Sequence, residues 1–152
     1  SQRHFLFICS RHPRRTGSMG PQDRLNAYIN EVKDRPFCWG FHDCFTFTNT
    51  AWRILYGEGY ADDWVGRYMI DGRPMRRREM IKEFGFYSIE RALDERLERL
   101  NKPQRFSLVT SDKAQRWVTG VALGLCIGTR SLFLGKSEIY RLGEIDLKDA
   151  WR

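Results

Sequence analysis

No stretch of this sequence approaches the roughly 20 consecutive apolar residues that a membrane-spanning helix requires, so no span is expected. The apolar segment FLFIC at residues 5–9 falls short of the roughly 7–15 residues of a signal-peptide core, so no export signal is expected there. Cysteine is scarce: Cys9, Cys38, Cys44 and Cys126 stand at irregular spacings. Such a set is no disulfide framework, and a chain without a CxxC pair lacks the usual half-site of a structural zinc. Synthesis in a reducing compartment is the expectation that goes with it. Histidine is scarcer still. His4, His12 and His42 leave few candidates for a general base. Acids are missing from residues 1–18 altogether, where Arg3, Arg11, Arg14 and Arg15 carry +4 of the net +7.

What is present describes one folded domain. A chain of 152 residues with 41% hydrophobic and 14% aromatic content has the apolar surface to bury a core. The division expected is a basic arm over residues 1–18, disordered or bound to a partner, and a single domain over residues 19–152. An arm of this charge can touch nucleic acid, a membrane surface or an acidic protein, or simply stay solvated. No nucleic-acid motif and no alternation of aromatic with basic residues accompanies it, so no nucleic acid contact is firmly indicated. The RRR at residues 76–78 reads as the solvated face of a helix.

Periodicity orders the domain as helices first and strands second. Leu25, Tyr28, Ile29 and Val32 recur at helical spacing within residues 22–35, ahead of Pro36. A second helix is expected from Asp43 to about Leu55, ended by Gly57 and Gly59, with Cys44, Thr48, Ala51, Trp52 and Leu55 facing inward. Residues 57–68, GEGYADDWVGRY, read as an ordered loop. Pro74 opens a third helix through Phe84, and Ser88 caps a fourth in which Ile89, Ala92, Leu93, Leu97 and Leu100 share a side. After Pro103 the period becomes strand-like, at residues 105–111, 117–128, 131–135 and 138–142. A short terminal helix is expected over LKDAWR. The order implies an α+β domain with a small antiparallel meander.

The segment PFCWGFHDCFTF at residues 36–47 concentrates the chemistry-bearing side chains. Asp43 is a good N-cap, which puts Cys44 in the first turn of the second helix, where backbone N–H groups favour a thiolate. A nucleophile belongs in such a place. So does a small buried hydrophobe. Cys38, His42, Cys44 and Cys126 are the candidates for holding a metal, but the second closely spaced ligand pair is missing, and no metal is expected. His42 lies two residues before Cys44, so the two side chains do not share a helix face. A hydrogen bond that fixes the loop is the role expected of its ring. Phe37, Trp39 and Trp64 are candidate binding aromatics for a glycan groove, with core packing as the alternative.

An aromatic-x-Trp-Gly segment followed by Asp-Cys at a helix start, with a late β-meander, resembles the NlpC-type cell-wall peptidases. The resemblance is closer to a small branch found in tailed phages and gene-transfer agents, whose members carry PFxWGxHDCxxF, a loop ending RGxY, and AWR at the end. Here these are PFCWGFHDCFTF, VGRY at 65–68 and AWR at 150–152, and the match covers roughly Pro21 to Arg152. The first stretch is fairly specific; the other two mean little alone.

The resemblance implies a papain-like NlpC-type fold, that of cysteine hydrolases which cut the peptide stems of peptidoglycan. Cys44 falls on the family's nucleophile and Asp43 on the aspartate before it. The family's base is a histidine opening a strand of the form His-Val-Gly-Ile-x-x-Gly. The matching stretch here is ALGLCIG, which puts Ala122 where that histidine belongs. The polar residue that orients the histidine should follow on the next strand, where this chain has Phe133 and Leu134. Phe37 replaces the family's tyrosine before Trp-Gly. His42, inside the resemblance, is the candidate substitute base.

A nucleophile without its base loses orders of magnitude in rate. The resemblance therefore implies a degenerate peptidase scaffold serving, without a cofactor, as a structural or binding component of a phage-type tail tip. Its partners are then other tail-tip or hub proteins and, in a binding role, peptidoglycan. Its location is the virion tail, after synthesis in the bacterial host cytoplasm. The alternative is an active cysteine peptidase or amidase that degrades peptide stems during genome entry. A third class is a cell-wall-binding module that grips stems without cutting them. The helix end and Asp43 act oppositely on Cys44, by about 1 kcal/mol each, so its thiol is expected to titrate near the free value of about 8.5.

Overall fold

The computed structural model describes residues 19–86, 88–114 and 119–152. The basic arm over residues 1–18, with FLFIC, His4 and His12, lies outside the described residues. Within them the chain is α+β, helices first and antiparallel strands after. Helix α1 (Pro21–Val32) has proline in its first turn, where a missing N–H is harmless, and buries Leu25 and Val32.

Helix α2 (Cys44–Tyr56) is the centre of the fold. Asp43 Oδ1 accepts from the Thr46 N–H and Thr46 Oγ1 accepts from the Asp43 N–H, both at 2.8 Å, a reciprocal capping box. The helix ends at Gly57, whose N–H donates to the Arg53 carbonyl at 2.8 Å. Cys44, Phe45, Phe47, Thr48, Asn49, Ala51 and Trp52 are all buried. They spread over more than half of the circumference, as a helix packed on several sides requires. Helix α1 lies against it on one flank and the sheet on another.

The loop at residues 57–68 holds a 3-10 turn (Asp62–Trp64) and packs three rings around Phe45. The ring centroids of Tyr60, Trp64 and Tyr68 lie 5.8, 5.8 and 5.6 Å from that of Phe45. Strands β1 (Met69–Ile70) and β2 (Arg73–Pro74) follow as a hairpin. Asp71 and Gly72 close it with φ of 49° and 77°, the left-handed pair that an Asp-Gly turn supplies. Pro74 is thus a strand residue, and helix α3 begins later than expected, at Arg77 (Arg77–Phe84). The reason is local: the Met75 N–H donates to the Tyr68 carbonyl at 2.7 Å and holds the chain in the hairpin.

Helix α4 (Ile89–Asp94), capped by Ser88, also stops short of the expected Leu97 and Leu100. The Asp94 carboxylate accepts from the Arg99 guanidinium at 2.9 and 3.0 Å and from the Trp151 indole at 2.9 Å. The chain there turns into strand β3 (Arg99–Leu100).

Strands β4 (Leu108–Ser111), β5 (Ala122–Cys126), β6 (Arg130–Leu134) and β7 (Ile139–Gly143) form the expected meander. Strand β8 (Ala150–Trp151) lies between β3 and β4, antiparallel to both, in the order β3-β8-β4-β5-β6-β7. The chain end is therefore a strand and not the helix expected from LKDAWR. A helix of so few residues is too short to sustain itself. Pairing on two sides satisfies this backbone instead: Arg152 and Glu98 exchange N–H···O bonds at 2.9 Å, and the Lys148 N–H donates to the Thr110 carbonyl at 2.7 Å.

Alternate residues of the central strands enter different clusters, as the pleat dictates. Val121, Leu123 and Leu125 join Cys44 and Phe45. Ala122 and Cys126 join Val109, Phe133 and Ala150. Gly124 is required where it stands, since a Cβ there would lie 2.5 Å from the Phe133 ring that crosses β5.

Candidate functional site around Cys44

Asp43 is wholly buried and accepts three hydrogen bonds. Its Oδ1 takes the Thr46 N–H at 2.8 Å, while Oδ2 takes the Gly40 N–H at 2.8 Å and the Tyr68 hydroxyl at 2.5 Å. The sequence gives the cap but not the tyrosine. Its one sequence signal is the VGRY loop end, which brings Tyr68 back across 25 residues. Nearby, the Tyr60 hydroxyl and Thr48 Oγ1 are 2.8 Å apart, and Thr48 also donates to the Cys44 carbonyl at 2.8 Å. Burial pushes both tyrosine hydroxyls up, with the Asp43 charge adding to the shift at Tyr68 and the Thr48 bond opposing it at Tyr60.

Cys44 occupies the first position of α2, as expected, but is only 2% exposed. Burial, and after it the Asp43 charge, push its thiol up to about 12, against hydrogen bonding from the backbone of Leu123, Cys44 and Phe45. The expected value near 8.5 is thus corrected. Desolvation by burial outweighs both the Asp43 charge and the backbone hydrogen bonds at the start of the helix. A thiol in this state is protonated near neutral pH and sealed from solvent.

The strand facing the sulfur is β5, at Leu123. Ala122, the position onto which the resemblance carries the base, belongs to the other cluster, with Val109 and Phe133. Ala122 and Leu123 are neighbours on the strand, so their side chains lie on opposite faces, and Ala122 points away from Cys44. Leu123 is the residue across from Cys44, and it is apolar and fully buried. Phe133 lies with Ala122, whereas Leu134 packs with Phe47 in a third cluster.

His42 closes a tight turn. Its N–H donates to the Cys38 carbonyl at 2.8 Å and its carbonyl accepts from the Cys38 N–H at 2.9 Å. The loop is thus fixed by the backbone of His42, while the buried Nε2 has no partner, contrary to the expected ring hydrogen bond. Burial lowers the pKa of the ring, helped by Arg35 and opposed by Asp43, so the imidazole is neutral near pH 7. No imidazole stands among the largest influences on the Cys44 thiol.

Of the three candidate binding aromatics, Trp64 is part of the core, 3% exposed, with Phe45 and Phe86 against it and the Arg96 guanidinium 4.6 Å above its ring. Phe37 and Trp39 are half-buried and meet edge to face at 4.9 Å. Phe41, between them and Asp43, is 81% exposed. The four candidate metal ligands do not converge. Cys38 is exposed, and Cys126 lies in a different cluster from Cys44, its thiol donating to the Gly128 carbonyl at 3.2 Å. Among the described residues no group of three or more His, Cys, Asp and Glu side chains is placed to hold a metal ion. No helix among them is long and apolar enough to cross a membrane.

Fold and site together define an α+β domain whose central helix starts at a capped, buried cysteine against an antiparallel sheet. The chain belongs to the family described as Domain of unknown function (DUF6950), whose model it matches over residues 19–152. No curated protein matches the chain, and no solved structure does.

Proposed function

We propose that this domain is a structural or binding component of a phage-type tail tip, built on an NlpC-like, papain-like scaffold whose cysteine has left catalysis. The observation that carries the reading is the state of Cys44: sealed at 2% exposure, thiol pushed up to about 12, and facing apolar Leu123. The scaffold part rests on the PFCWGFHDCFTF resemblance and on the preserved cap that sets Cys44 at the start of α2. Fold analogy supplies the setting, and function follows from the site. Other tail-tip or hub proteins are the partners of this reading, the virion its location, and the basic arm its attachment segment.

The test is hydrolysis. Purified protein is expected to release no more peptide from peptidoglycan than a Cys44→Ala variant does. Turnover that depends on Cys44 overturns the reading in favour of the cysteine peptidase or amidase. One observation speaks for that alternative: the backbone amides of Leu123, Cys44 and Phe45 still hydrogen bond at the sulfur, as they do around a working thiolate. Deleting residues 1–18 is expected to weaken incorporation into the particle. Unchanged incorporation removes the arm's attachment role.

A further inference from the structure

A concave surface lies between α3 and α4, and Cys44 is not among the residues that line it. A cavity of about 330 Å³ opens there, with Ile81, Phe84 and Phe86 on one wall and Arg91, Ala92 and Glu95 on the other. Its floor is aromatic and held in place. The Phe84 and Phe86 rings are 5.5 Å apart, and Phe86 rests 5.5 Å from buried Trp64. Ile81 stands at the edge, 44% exposed. A single bulky apolar side chain from outside would find contact on three sides.

The rim is basic. Arg78 and Lys82 lie on the exposed side of α3 within one turn of Ile81 and Gly85, and Arg91 projects from α4. Among the described residues, none of these three cations has a carboxylate within ion-pair distance. Neighbouring cations differ: Arg67 is paired with Glu83 at 3.2 Å, Arg73 with Glu79 at 2.8 Å and Arg96 with Asp63 at 2.6 Å. Glu95 is the acid on the lining, so the rim keeps an excess of positive charge.

We propose that this groove docks an acidic segment of a partner protein, which seats one large apolar side chain on Phe84 and Phe86 between Arg78, Lys82 and Arg91. Charge decides the occupant. A second copy of this chain, net +7, or its own basic arm would bring like charge to the rim. Carboxylates flanking the anchor meet cations that, among the described residues, have no carboxylate within ion-pair distance. The inference holds whether or not Cys44 reacts, since the groove and the thiol are different surfaces.

The probe is a fluorescein-labelled peptide of about nine residues with Phe at its centre and Glu and Asp on both sides, read by anisotropy. Saturable binding that weakens as salt rises is expected. Arg91→Glu and Ile81→Glu, both at exposed positions, are each expected to weaken it about tenfold or more with the melting temperature unchanged. Peptides with Lys in place of the acids, or Ala in place of Phe, should bind at least about tenfold more weakly. No saturable binding up to about 1 mM overturns the proposal, and so does equal binding of the Lys-flanked peptide. Self-association that Ile81→Glu abolishes overturns it too, giving the groove to a second copy.

Discussion

The Tyr68 hydroxyl donates to Oδ2 of Asp43 at 2.5 Å, and this bond ties the loop at residues 57–68 to the residue that starts α2. Both partners are buried, so the carboxylate has no water to turn to if the donor is lost.

Tyr68→Phe keeps the ring packed on Phe45 and removes only the hydroxyl. Asp43 Oδ2 then retains the Gly40 N–H alone. An under-satisfied buried carboxylate costs about 1–3 kcal/mol, and urea denaturation is expected to show a loss of that size. A loss under about 0.5 kcal/mol would mean that backbone donors alone hold the carboxylate. Asp43→Ala should cost more, because it also removes the cap on Thr46.

Iodoacetamide separates a sealed thiol from an active one. Native protein is expected to label at exposed Cys38 and to leave Cys44 untouched up to about pH 10, with Cys44 labelling fully once denatured. Both cysteines fall on one tryptic peptide, residues 34–53, so fragmentation of that peptide in tandem mass spectrometry assigns the label to Cys38 or Cys44. Native labelling of Cys44 with an inflection below about pH 6 would place a cation beside the sulfur and revive the peptidase reading.

The parts of the fold written in short-range chemistry were legible in the sequence. Asp43 and Gly57 are local signals, and they bound α2 within a residue or so of the expectation. Boundaries set by strand pairing were not. Pro74 reads as a helix start until the Asp71–Gly72 turn pairs it with Met69, and Trp151 reads as helical until β3 and β4 flank it. The site shows the same division. Cap and cysteine are adjacent and visible, whereas Tyr68 reaches Asp43, and Leu123 reaches Cys44, only through tertiary packing. Burial of the thiol is a property of that packing, and for this reason the expected titration value was too low.

Alkaline conditions should destabilise the protein through Cys44. Its folded thiol, near 12, lies above the unfolded value of about 8.5, so the unfolded chain releases the proton first. The stabilisation is fully present below about pH 8.5 and is lost as pH rises toward 12, at no more than about 1.4 kcal/mol per unit. Tyr60 and Tyr68, also raised, add to the loss above about pH 10. Cys44→Ala removes the thiol's share. Its stability between about pH 8 and 9.5 should be flatter than that of the parent chain. Parallel curves would show that the thiol is not buried in solution.

Gly124 and Phe133 make the last test, of the sheet face away from Cys44. Phe133 on β6 lays its ring across β5, and a Cβ at Gly124 would sit 2.5 Å from Cζ and 2.7 Å from the Leu132 carbonyl oxygen. The ring is fully buried with Val109, Ala122 and Tyr140 around it, so it cannot swing away freely. Overpacking of this kind costs about 1–3 kcal/mol, and Gly124→Ala is expected to lower stability by that amount. Phe133→Leu alone costs a similar amount by leaving a cavity. Combined, the two changes should be less than additive by at least about 0.5 kcal/mol, because the smaller side chain relieves the clash. Full additivity in urea denaturation would mean that the Leu132 carbonyl, and not the Phe133 ring, is what forbids a side chain at Gly124.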